Sequence, residues 1–155
     1  MPKFSLNFLP KSVYVIALDI SEALVTAACG GEADGEVVDL RTVIDKDCEL
    51  NILTAKDAAG LAALRHTTSH VLAEAVKNLF PEAKLAIGPS IENGFYYDFD
   101  HAPFSREDLD NIEKEMKKII KKGARLEKFT LPRAEAIKFM EEKGEPYKVE
   151  LIQDL

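Results

Sequence analysis

KDAAGLAALRHTTSHVLAEAVKNLF, residues 56–80, is the stretch that sets the architecture. Leu61, Leu64, Thr68, Val71, Leu72, Ala75 and Leu79 recur three and four residues apart, the spacing of one face of an α-helix. Asp57 can cap its start, and Pro81 stops it because proline has no N–H and clashes with the preceding turn. The spacing predicts one long helix over 56–80 with those seven residues as its buried stripe.

Upstream the pattern is mixed. Residues 3–9 alternate in part, with Phe4, Leu6 and Phe8 on one side, and predict a short strand. Pro10-Lys11-Ser12 suits a turn, and Val13–Ala17 is a second β-rich run. Asp19 or Ser21 can cap a helix that runs to about Ala28 and ends at Cys29-Gly30-Gly31. Asp34-Gly35 is a hairpin turn signal before Val37-Val38-Asp39-Leu40, and residues 49–53 alternate as a last strand. Downstream, residues 84–87 and 95–99 read as strands around the turns Gly88-Pro89 and Asn93-Gly94. Ser105 with Asp108 three residues on is a capping box opening a helix with Leu109, Ile112, Met116, Ile119 and Ile120 on its apolar face, closed by Gly123. Residues 126–131 are a strand candidate, Pro132 opens a helix over 133–143, and residues 147–152 alternate as a final strand. The fold class is therefore α+β, in two domains, 1–56 and 57–155.

The bulk numbers exclude several classes. The 155 residues are 46% hydrophobic and 30% charged, a globular rather than a disordered balance. No apolar run approaches the roughly 20 residues of a membrane span, and no signal peptide is read at Met1-Pro2-Lys3-Phe4. Cys29 and Cys48 are too few for a disulfide framework and match no zinc spacing, so two reduced thiols in a cytoplasmic protein are expected. Net charge is −7, and the acidic excess is concentrated in residues 1–55, so RNA contact must be local and belongs in the second part. Lys117, Lys118, Lys121 and Lys122 are the densest basic patch there, on what is otherwise simply a solvated helix face.

Three groups of residues can carry chemistry. In Arg65-His66-Thr67-Thr68-Ser69-His70, two imidazoles one turn apart share a helix face nearly opposite the leucine stripe. Such a pair can bind a metal, relay a proton or hydrogen-bond a hydroxyl, or be an ordinary surface pair. A metal would need further ligands, and neither His101 nor the cysteines supplies them, so no metal site is expected. Phe95-Tyr96-Tyr97 would place one face in a core and leave the other able to stack on a base, though a packed strand is the plainer reading. Lys148, after Gly144-Glu145-Pro146-Tyr147, can meet a phosphate or position a water, or be solvated. No Walker loop, dinucleotide fingerprint or serine nucleophile motif is present.

Taken in order, Arg65-His66-Thr67-Thr68-Ser69-His70, Leu79-Phe80-Pro81, Ile87-Gly88-Pro89, Asn93-Gly94-Phe95-Tyr96-Tyr97-Asp98-Phe99 and Gly144-Glu145-Pro146-Tyr147-Lys148-Val149-Glu150-Leu151-Ile152 closely resemble the threonyl-tRNA synthetase family at the start of its editing domain. Residues 34–40 and 49–53 look like its TGS domain, a ubiquitin-like β-grasp. The resemblance implies a TGS domain over 1–56 and, over 57–155, the N-terminal part of an α/β editing domain with a long first helix. It implies that the parent enzyme attaches threonine to its tRNA and that this region belongs to hydrolysis of mischarged seryl-tRNA. His66 and His70 would line that pocket, Tyr97 would meet the terminal adenosine region, and Lys148 would position the ester or the attacking water, with no metal bound. The family places a second half-site and the catalytic domain, with its ATP, magnesium and zinc, beyond residue 155. The isolated chain is therefore expected to need no cofactor and to be inactive, and the parent to dimerise through domains outside it. A standalone tRNA- or protein-binding regulatory module is the alternative, and a metal-dependent hydrolase built on His66 and His70 is a third.

Overall fold

The computed structural model describes residues 9–124 and 126–155, which form two compact units, Met1–Arg65 and His66–Leu155. The strand expected over 3–9 lies outside the described residues except for Leu9, which is in no strand.

The first unit is β1 (Lys11–Ser12), α1 (Val13–Ile20), α2 (Glu22–Ala27), β2 (Ala28–Ala33), β3 (Glu36–Val38), β4 (Val43–Ile44) and β5 (Leu50–Thr54). β2 is central, antiparallel to β3 and β5, and β1 pairs with β4. The Asp34-Gly35 turn forms as expected, both residues at positive φ, joining β2 to β3 with Ala33 opposite Glu36. Two sequence expectations are corrected. Lys11–Ser12 is a short strand rather than a turn. The β-rich run at 13–17 is helix α1, because the ends of the segment decide against its propensity. Ser12 Oγ accepts from Val15 N, and the first two orphan donors, Val13 N and Tyr14 N, go to the carbonyls of Thr42 and Leu40. Val13 and Ala17, four apart, then bury one face. The helix expected to run to about Ala28 forms as α2, capped by Ser21 and ending at Ala27, and Gly30-Gly31 follow it in the central strand. A Cβ on Gly31 would stand 2.9 Å from the Val13 side chain, so the bare backbone lets α1 seat on the sheet.

The long helix predicted from the opening stretch is α3 (Ala58–Leu79). Its stripe differs in detail. Ala73, Ala75 and Val76 are buried, whereas Leu64 and Leu79 are exposed. Asp57 turns back on the preceding strand, its carboxylate accepting from Thr54 N and Thr54 Oγ1 at 2.7 and 3.0 Å, which holds that carboxyl below its ordinary range.

The second unit continues with β6 (Lys84–Leu85), β7 (Ser90–Ile91), β8 (Gly94–Phe95), β9 (Phe99–Asp100), α4 (Arg106–Lys122), α5 (Arg133–Glu142) and α6 (Pro146–Asp154). Ala75, Val76, Ala83 and Ile112 make its core, with Leu72, Phe80, Phe99, Phe104, Met116 and Ile119 packed around them. The Ser105–Asp108 capping box and the left-handed Gly123 bound α4 as expected. Residues 95–99 are not one strand: β8 pairs with β7 and β9 with β6, and Tyr96–Asp98 lie between them in no strand. Residues 126–131 form no strand, and Leu126 and Phe129 stand exposed. The final expected strand is helix α6. Tyr147–Ile152 alternates well enough for β, but Pro146 at the first helical position is preorganised for a helix start and needs no donor.

Candidate functional site

His66 and His70 lie on the exposed side of α3, and Ser69 between them is fully buried. His70 Nε2 is 3.1 Å from His66 Nε2, with the rings edge-on at 4.6 Å between centroids and 81° between planes. A hydrogen bond across that gap needs one N–H and one lone pair, so the pair resists carrying two protons. Burial, then the charges of His66 and Lys148, hold His70 below the ordinary histidine range.

That depression has a sign. The folded protein favours neutral His70, so the stability it contributes is complete above the ordinary histidine value and is lost as pH falls through the lowered one. An imidazole ¹⁵N titration is expected to place the His70 midpoint below that of the acid-unfolded chain. A midpoint at or above the unfolded value would contradict the packing described here.

Ser69 ties the helix to the loop at 86–89. Its Oγ lies 2.7 Å from the His66 carbonyl and 2.8 Å from the Gly88 carbonyl. Gly88 in turn is the floor under Tyr97: a Cβ there would sit 2.1 Å from the Tyr97 ring. The Tyr97 ring stacks on Phe99 at 4.8 Å and 23°, and burial, then Glu145, raises its hydroxyl above the ordinary range. Lys148, in the first turn of α6, donates to the Ala86 carbonyl at 2.6 Å with its ammonium 5.6 Å from the Tyr97 ring centroid. Burial lowers Lys148, and Glu145 partly offsets it.

The four residues singled out from sequence are thus gathered around Ala86-Ile87-Gly88. Tyr97 lies over Gly88, Lys148 reaches Ala86, and Ser69 pins the histidine-bearing turn to the same loop. The arrangement offers imidazole nitrogens that accept or donate, an ammonium near an aromatic face, and backbone carbonyls, which suits holding a hydroxyl, an ester or a water. Among the described residues, no three of His, Cys, Asp and Glu come together to hold a metal ion. His101 is engaged elsewhere, with Nε2 3.1 Å from Glu82 and Nδ1 2.7 Å from the Ala102 carbonyl. Cys29 and Cys48 are free thiols. In the basic patch, Lys117 pairs with Glu113 and Lys118 with Glu115, which reduces its pull on a phosphate backbone. No helix among the described residues is long and apolar enough to cross a membrane.

Sequence reasoning missed Ser69 and the packing role of Gly88. Three residues on from His66, Ser69 sits near the histidine face, so nothing in the spacing signalled its burial.

No family model matches the chain. It is 64% identical over 141 residues to the threonine–tRNA ligase of Acetivibrio thermocellus, which covers 90% of this chain and 22% of that protein. It is 56% identical over 145 residues to the threonine–tRNA ligase of Caldanaerobacter subterraneus, 93% of this chain and 22% of that protein, and 56% identical over 141 residues to that of Clostridium tetani. The chain spans about a fifth of the length of the curated relatives it matches. The resemblance to threonyl-tRNA synthetases read in the sequence is borne out.

Proposed function

We propose that this chain, 64% identical over nine-tenths of its length to a threonine–tRNA ligase, is the N-terminal part of such an enzyme and forms one wall of a pocket that hydrolyses seryl-tRNA mischarged on the threonine tRNA. Serine lacks only threonine's methyl group, and a group of that size discriminates by only about 1–3 kcal/mol, so a second, hydrolytic site is needed to remove the smaller product. The observation that carries the reading is that Tyr97 and Lys148 meet on the loop at 86–88, to which Ser69 ties the turn that carries His70. A neutral imidazole accepts a proton from a water or a hydroxyl near pH 7, and the depression of His70 favours that form. Lys148 holds the ester oxygen or the water, and Tyr97 packs near the terminal adenosine. Residues 1–56 serve as a TGS domain of ubiquitin-like fold. The three-stranded sheet with helix α1 on it is consistent with that role. In the whole ligase, ATP, magnesium and zinc act in a catalytic domain outside these residues, tRNA is the partner, and the enzyme works as a dimer in the cytoplasm.

The test uses a non-hydrolysable seryl-adenosine, with the ester replaced by an amide, titrated into the ¹⁵N-labelled chain. The imidazole signals of His66 and His70 and the ammonium of Lys148 are expected to move together, with adenosine alone moving them less. Signals that stay fixed while the Lys117–Lys122 region shifts would place RNA contact elsewhere and remove the pocket assignment.

A further inference from the structure

One buried acid in the second unit has no part in the chemistry above. Glu145 is 6% exposed and stands at the residue before α6. Its Oε1 is 2.9 Å from Lys77 Nζ, and its Oε2 accepts from Leu85 N at 2.9 Å. Lys77 Nζ donates also to the carbonyls of Pro81 at 2.8 Å and Ala83 at 2.9 Å. All three ammonium protons are therefore used, and both carboxylate oxygens are satisfied. A buried charged pair this fully bonded fixes geometry even where it adds little net stability. It joins the last turn of α3, the segment at 81–85 and the start of α6 into one knot.

Lys148 lies one turn further along α6, and Lys148 N bonds the Glu145 carbonyl at 3.1 Å. The knot thus sets where α6 begins, and the first turn sets where the Lys148 side chain points: to Ala86, the residue after β6, whose last residue, Leu85, Glu145 itself holds. We propose that Glu145, clamped by Lys77, is the positioning residue that keeps the Lys148 ammonium on the Ala86 carbonyl and beside His70. The proposal rests on the reading of Lys148 as part of the hydrolytic pocket, but its test needs no RNA.

His70 itself reports on Lys148. The charged groups acting on His70 are His66 from its own helix and Lys148 from α6, and both lower it. In Glu145→Gln the carboxylate is gone while the side chain keeps its shape. By direct field alone, losing a nearby negative charge can only lower a histidine. If Lys148 is instead released, a positive charge leaves His70 and it titrates higher. Lys148→Met should raise His70 as well, and adding Glu145→Gln to Lys148→Met should change it no further. Should Glu145→Gln fail to fold, Glu145→Asp, one methylene too short to span both partners, is expected to give a smaller rise of the same sign. A His70 midpoint that is unchanged or lower in Glu145→Gln overturns the proposal. So does an equal rise in the Lys148→Met background, which would report lost burial rather than a displaced ammonium. Because the readout is this chain's own titration, failure of the seryl-adenosine experiment would leave this result standing, and the reverse.

Discussion

Gly88→Ala is expected to destabilise the second unit by about 1–3 kcal/mol, the cost of forcing a methyl into a filled space, and to displace Tyr97. The added Cβ would lie 2.1, 2.4 and 2.9 Å from three atoms of the Tyr97 ring, well inside contact distance. Two ways out exist, and each breaks something. If the loop recedes, Gly88 carries its carbonyl away from Ser69 Oγ, whose single proton is left to the His66 carbonyl, and the tie between helix and loop is lost. If the ring swings out, Tyr97 leaves its stack on Phe99 and the ammonium of Lys148 loses an aromatic neighbour. Urea unfolding gives the energy, and nuclear Overhauser contacts between Tyr97 and Phe99 show which path is taken. A variant as stable as the parent with those contacts intact would mean that the floor under Tyr97 is not as tight as described.

His70→Ala is expected to slow seryl-tRNA hydrolysis by about a hundredfold or more, within the roughly 10²–10⁴ that a positioned proton-transfer group contributes. The measurement belongs in a threonine–tRNA ligase whose matching stretch is replaced by this chain, so that whatever the rest of the enzyme supplies is present. His66→Ala should act on the same step, and the double variant should lose little more than the worse single one, since the two Nε2 atoms 3.1 Å apart act as a unit. Threonine attachment should be unchanged. Fully additive losses would argue that the imidazoles work independently.

Much of this was legible in the residues. The α3 helix, the α4 capping box and the Asp34-Gly35 turn depend on local chemistry, and local chemistry was readable. The failures have a shared cause. Val13–Ala17 is an unbroken β-rich run and Tyr147–Ile152 carries apolar residues in alternation, and both are helices. In each, the end of the segment outweighed its interior: Ser12 caps one, and Pro146 opens the other. The strand candidate at 126–131 failed for a different reason, because no strand pairs with it among the described residues. The site divided in the same way. His66 and His70 announced themselves by spacing along one helix, and the resemblance pointed to Tyr97 and Lys148. The Lys77–Glu145 knot joins residues 68 apart in sequence, and no local pattern signals a pairing of that kind.

The most direct measurement is the rate at which the substituted ligase deacylates seryl-tRNA and threonyl-tRNA, with this chain's residues intact at 66, 70, 97 and 148. The account predicts that seryl-tRNA is cleared far faster than threonyl-tRNA, and that the preference disappears with His66→Ala and His70→Ala combined. A ligase that charges threonine normally, yet clears seryl-tRNA equally well with and without the two histidines, would contradict it.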